Sequence, residues 1–184
     1  MTTIRLETII NAPIEVCFNL ARSIDAHQHS TNQTKEKAVA GRTSGLIEKG
    51  ETVTWQARHF GIKQYLTVQI EEMEFPLFFS DTMLKGAFKT MHHKHSFAQT
   101  GNSQTIMKDE FTYTVPLGIL GKWVDVLILK RYMTQFLLQR NQILKQTAEN
   151  GAWKRFFDIT ISHEGIRKWV SKAKQMVERY EHGI

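Results

Sequence analysis

The feature that most constrains this chain is a change of period near Pro116. From Val53 to Val115 apolar residues recur at every second position, and from Ile119 they recur at every third or fourth. The first pattern belongs to strands, whose successive side chains point to opposite faces, and the second to a helix. Val53, Trp55, Ala57 and His59 share one face of the first strand. Leu66, Val68 and Ile70 follow Gly61, and Pro76 ends that strand because it has no amide hydrogen for a ladder. Phe79, Asp81 and Met83 run up to Gly86, and Met91, His93, His95 and Phe97 run up to the hairpin signal Gly101-Asn102. Thr105, Met107, Asp109, Phe111, Tyr113 and Val115 complete the series. Consecutive strands joined by short turns pair antiparallel, so the segment reads as a meander.

Beyond Pro116-Leu117-Gly118, the pairs Trp123-Val124, Leu127-Ile128, Arg131-Tyr132, Phe136-Leu137 and Ile143-Leu144 predict one helix from Ile119 to about Asn150. Its first half is apolar nearly all round and must be enclosed, and only the sheet is available to do it. Ahead of the meander, Ile4 to Ile10 alternates as a strand. Pro13 and Glu15 suit the first turn of a short helix. Ser23 is placed to cap a second short helix from Ile24 to Gln33, and Lys35 to Gly41 reads as a short strand. The predicted class is α+β, with a curved antiparallel sheet of about six to seven strands wrapped around a long C-terminal helix. Two short helices follow the first strand, and a further helical tail ends the chain. A sheet of this length twists and curls, and one helix cannot fill its concave side, so a cavity is expected.

The order of elements resembles the START-like, or SRPBCC, superfamily of helix-grip proteins, which includes the birch-pollen-allergen type. Ile10 to Phe18 (Ile-Asn-Ala-Pro-Ile-Glu-Val-Cys-Phe) is similar to that family's entry of strand, Ala-Pro step and amphipathic helix. Further stretches resemble a bacterial ligand-binding subgroup: Thr54 to Gly61, Pro76 to Asp81, His93 to Phe97 and Pro116 to Gly121. The resemblance spans residues 3–149, so residues 1–150 are expected to form the ligand-binding domain and 151–184 an extension. It implies a cavity for lipids, polyketides, sterols, plant hormones or other apolar molecules. The expectation is binding or carriage of a hydrophobic small molecule. The alternatives are a cyclase- or dehydratase-type enzyme using a His–Asp pair and an interaction module docking through the tail. Relatives also include aromatases and domains of oxygenases, and the fold does not choose among these.

Five titratable groups stand on strand faces that otherwise read as buried: His59, Asp81, His93, His95 and Asp109. A buried polar group without a partner costs about 1–3 kcal/mol, so these groups either pair with one another or face a cavity. A turn centred on residue 87 places His93 opposite Asp81, and an odd-length loop at Gly101 places His95 opposite Asp109. A two-residue loop separates the second pair, and the sequence does not choose between the registers. Structural pairing, recognition of a polar head group and acid–base catalysis all fit such pairs, with His95, Asp109, His93 and Asp81 the catalytic candidates. The ligand wall is read as Trp55, His59, Phe79, Asp81, Met83, His93, His95, Phe97, Met107, Asp109 and Phe111, with Trp123 and Leu127 from the helix. Arg140 either binds an acidic head group or caps a loop, and the structural role is the expected one. A His-x-His pair begins a metal site only with a third ligand such as Asp81 or Asp109; the spacing is common by chance, so no metal is expected.

Lys and Arg number 24 against 18 Asp and Glu, a net charge of +6. Seven of the basic and four of the acidic residues lie in 150–184. There Ile166, Trp169-Val170, Ala173, Met176-Val177 and Tyr180 form the apolar stripe of a basic helix after Ser162. Its own domain, a second subunit in a homodimer, a membrane surface or a partner could cover that stripe. No basic stripe interleaved with aromatics marks the body, so no nucleic-acid partner is expected. No transmembrane segment is predicted. The lone Cys17 and the lack of a signal peptide lead to an expected cytoplasmic location. No phosphate loop, nucleophile elbow or Cys-x-x-Cys occurs, and no cofactor is expected.

Overall fold

A computed structural model describes residues 1–31, 34–59, 61–101, 103–116 and 128–157. Seven strands form one antiparallel sheet in the order β1-β7-β6-β5-β4-β3-β2. They are β1 (Thr2–Ile10), β2 (Lys37–Gly41), β3 (Thr52–His59), β4 (Ile62–Glu74), β5 (Phe78–Lys85), β6 (Thr90–Thr100) and β7 (Gln104–Thr114). The meander runs from β2 to β7, and β1 returns to the edge beside β7, pairing Ile4 with Phe111 and Leu6 with Asp109. Two short helices, α1 (Ile14–Arg22) and α2 (Ile24–Ser30), follow β1, and α3 (Lys130–Glu149) is the long C-terminal helix. This is the α+β helix-grip arrangement expected from the pattern.

The local causes are visible. Ser23 Oγ accepts the Ala26 amide and starts α2, as a serine at that position should. The Thr31 amide bonds to the His27 carbonyl at the end of α2, and Gln33, the expected end of this helix, lies outside the described residues. Thr100 pairs with Gln104, which leaves an odd, three-residue loop. Gly101 sits there at φ 66°, a conformation that costs other residues more. On α3 the buried residues are Met133, Leu137, Arg140, Asn141, Leu144, Thr147 and Ala148, a stripe of helical period that takes in three polar side chains. The expected helix start at Ile119, the tail helix after Ser162, and Trp123 and Leu127 lie outside the described residues.

Phe18 of α1 is fully buried and meets the rings of Phe75, Phe79 and Phe97 edge-on at 5.1–5.4 Å. Helix α1 thus fills the sheet's hollow at the end where β6 finishes and β7 begins. A 3-10 turn, Ala152–Arg155, follows α3, and Trp153, Phe156 and Phe157 pack on the core behind it. Among the described residues no helix is long and apolar enough to cross a membrane.

Candidate functional site

The uncovered half of the concave face, α2 and α3 enclose a cavity of about 340 Å³. That lies within the roughly 300–1,000 Å³ range of small-molecule sites, at the end suited to one compact ligand. Strands β3 and β4 supply Val53, Trp55, Ala57, Val68 and Ile70 to its wall, and β7 supplies Phe111. Helix α3 supplies Tyr132, Met133, Phe136, Leu137 and Arg140.

Of the wall residues read from the sequence, Trp55, His59, Phe79, Asp81, His93, His95 and Phe111 line this cavity. Met83, Phe97, Met107 and Asp109 do not, and their placement corrects the reading. Phe97 stacks against Phe79 and lies under Phe18, and Met107 pairs with it across the ladder, so both sit where α1 fills the hollow. Met83 is half-buried against the core near the far end of β5. Asp109 lies behind the imidazoles of His93 and His95 rather than on the wall.

Both conditional registers are realised: Asp81 is opposite His93, and His95 is opposite Asp109. Three neighbours converge on the buried Asp109 carboxylate. His93 Nε2 reaches Oδ1 at 3.1 Å, and Asn141 Nδ2 donates to Oδ2 at 2.6 Å. His95 Nδ1 lies 2.6 Å from Oδ1 but is poorly aligned for a hydrogen bond, so the contact is chiefly electrostatic. Arg140 Nη1 adds a cation 3.8 Å from the same oxygen. Burial alone raises the pKa of Asp109, but the neighbouring histidines outweigh it and hold the carboxyl well below its ordinary range. Burial pushes His95 down to about 3, with His93 adding to the effect and Asp109 opposing it. At neutral pH the pair is therefore an aspartate facing a neutral imidazole. A carboxylate at Nδ1 favours the proton there, which leaves Nε2 of His95 as an acceptor.

Asp81 stands apart. It lines the cavity, its carboxylate makes no hydrogen bond to any described residue, and burial raises its pKa against the opposing charges of His93 and Arg140. Arg140 is equally singular. It is 4% exposed, it lines the cavity, and its Nε and Nη1 have no hydrogen-bond partner among the described residues, while Nη2 makes a long 3.4 Å contact to the Ala21 carbonyl.

A second polar group across the cavity escaped the sequence reading. Glu36 Oε2 lies 2.6 Å from His27 Nε2, and Oε1 lies 3.8 Å from His59 Nε2. His59 Nδ1 in turn meets the Tyr132 hydroxyl at 2.8 Å, and His27 stacks on Trp55 at 4.1 Å. Burial raises the Glu36 pKa, but the hydrogen bond and charge of His27 outweigh it and the carboxyl ends below its ordinary value. Neither His27 nor Glu36 stands in an apolar alternation, so no period singled them out.

No protein-family model matches the chain, and no curated protein does. Solved structures do. The protein TTHA0849 of Thermus thermophilus superposes with a TM-score of 0.66 at 19% identity, covering 80% of this chain and 97% of its own. A START superfamily protein from Mycobacterium smegmatis gives 0.62 at 12% identity, with the same 80% and 97% coverage. The major latex-like protein 151 of Panax ginseng gives 0.59 at 14% identity, again over 80% and 97%. Identities this low speak to the fold, and the fold is common to all three.

Proposed function

From the START-like helix-grip fold as premise, we propose that this protein binds and carries one apolar small molecule, of lipid-, polyketide- or sterol-like character, with a polar oxygen-bearing head. The observation that carries the reading is the mainly apolar, partly open cavity with Arg140 at its wall. A guanidinium buried with two unpartnered nitrogens is costly unless something supplies acceptors. A carboxylate or enolate head group does so, and the aromatic and aliphatic wall takes the body of the molecule. Likeness to the START superfamily protein and the major latex-like protein supports the reading at the level of fold.

Two measurements test it. Native mass spectrometry of the gently isolated protein should find a single co-purified molecule. An environment-sensitive apolar dye should bind with a 1:1 ratio and be displaced by long-chain acids. A protein that takes up no dye, or takes it up without saturation, contradicts the proposal.

A second reading has its own observation. Asp109 Oδ1 lies 2.6 Å from His95 Nδ1 and favours a proton there electrostatically, with the ring of His95 at the cavity wall. In a cyclase or dehydratase Nε2 of His95 would take a proton from the bound ligand, and an anionic substrate beside it would have to lift the His95 pKa from about 3 toward the working pH. His95→Gln should then abolish turnover of a bound polyketide-like substrate while leaving dye affinity unchanged. Equal turnover in the variant would remove this reading.

A further inference from the structure

The Asp81 carboxylate has no hydrogen bond to any described residue, yet it lies beside two histidines whose rings both meet Asp109 from behind. One ligand atom from each of Asp81, His93 and His95 lies within 4.8 Å of the others. Their strands fix this: β5 and β6 pair Asp81 directly with His93, and His95 is the next residue on the same face. The imidazole centroids of His93 and His95 are 4.0 Å apart. His93 turns Nε2 and His95 turns Nδ1 toward Asp109, so Nδ1 of His93 and Nε2 of His95 are the nitrogens left for a ligand.

We propose that Asp81, His93 and His95 form a binding site for a first-row divalent transition metal ion, with Asp109 as the carboxylate that orients both imidazoles. Two imidazoles and one carboxylate, with further positions open, are a donor set that Zn²⁺ and Fe²⁺ both accept. Ligating histidines regularly give their second nitrogen to a carboxylate, which fixes the ring and raises its basicity, and Asp109 stands in that place for both rings at once. Asn141 holds Asp109 in turn, at 2.6 Å. Charge also fits. Arg140 lies 3.8 Å from Asp109 and partly offsets that carboxylate, and a bound ion would add to the positive charges of His93 and Arg140 that already favour ionised Asp81 against its burial. Metal bonds of about 2.0–2.2 Å bring ligand atoms to roughly 3 Å from one another, so the cluster must contract. Asp81, its carboxylate free of hydrogen bonds to described residues, is the member able to move. The cross-strand placement of Asp81 supplies the third donor that the His93–His95 spacing lacks. The open positions face the cavity, because all three residues line it.

The test uses the full chain, treated with a chelator that is then removed. Titration with Zn²⁺ by calorimetry, and with Co²⁺ by visible absorption, should show one ion per chain with micromolar or tighter affinity. Asp81→Asn and His93→Gln should each weaken it at least tenfold, while His29→Gln and His92→Gln should not. Thermal melts check that the variants fold. A readout that needs no variant is paramagnetic broadening: Co²⁺ should broaden the imidazole signals of His93 and His95 before those of His29 and His92. No binding at millimolar ion, or binding unmoved by Asp81→Asn and accompanied by broadening of the outer histidines first, overturns the site. Dye uptake by the metal-free chain is measured in parallel. Dye binding without metal binding refutes the metal site alone, and metal binding without dye uptake refutes the carrier proposal alone.

Discussion

Asp109 and Glu110 are neighbours in sequence that point to opposite sides of β7, and truncating each in turn tests whether the polar network behind the cavity is a structural fixture. Asp109→Ala removes the acceptor of His93 and Asn141, the counter-charge of Arg140 and the carboxylate against His95 Nδ1. All four partners are buried, at 1–8% exposure. Breaking a buried charged network from one side costs about 3–5 kcal/mol. In a chain of this size about 2–4 °C of melting temperature goes with each kcal/mol, so the midpoint should fall by roughly 6–20 °C. Glu110→Ala breaks only the Arg5 pair, whose side chains are 49% and 72% exposed. A pair of that kind contributes about 0–1 kcal/mol. Urea unfolding at pH 7 followed by circular dichroism, with thermal melts beside it, measures both. If Asp109→Ala costs less than about 1 kcal/mol, or no more than Glu110→Ala, the convergence on Asp109 is not what holds His93 and His95 in place.

Three further outcomes follow from the same geometry. The folded pKa of His95 is depressed to about 3, so between about pH 6.5 and 3 the unfolded chain binds a proton that the folded chain refuses. Stability should therefore decline as pH falls from 7 to 5, by up to about 1.4 kcal/mol per pH unit from this residue; urea midpoints that stay flat would contradict it. Arg140→Met should weaken binding of a long-chain acid at least tenfold relative to the alcohol of the same length, as read by dye displacement; equal losses would remove Arg140 from head-group recognition. Cys17 is buried, with its thiol pushed up to about 11 by burial, so a thiol reagent at pH 8 should label it only in denaturant. Rapid labelling of the native chain would contradict its placement.

The architecture was legible because period and punctuation agree along the chain. Alternation named the inward faces of β3 to β7, Ser23 marked the start of α2, and the three-to-four spacing through Phe136-Leu137 and Ile143-Leu144 marked α3. The site was legible only in part. Alternation tells which face a residue is on, but not whether a helix covers that stretch of the strand. Phe97 and Met107 share a face with His93 and Asp109, yet Phe18 of α1 packs over that end and takes it into the core. The register of Asp81 against His93 and of His95 against Asp109 depended on loop parity, which Gly101 alone does not determine. His27 and Glu36 left no trace in the pattern. They meet only because α2 lies across β2 and β3, a contact set by tertiary packing. Arg140, read as a structural residue, turned out to line the cavity because α3 buries its stripe against the open half of the sheet.

The claim on which the functional account depends is that the hollow between the sheet and α3 takes up a ligand. Ala57 lines that hollow from β3, and Ala57→Phe places a ring inside it. Calorimetric titration of both proteins with one apolar long-chain acid is the direct measurement. A single site in the native chain that is lost in Ala57→Phe, with the melting temperature kept, is the predicted result. The same affinity in both proteins would place the acid elsewhere on the molecule and contradict the account.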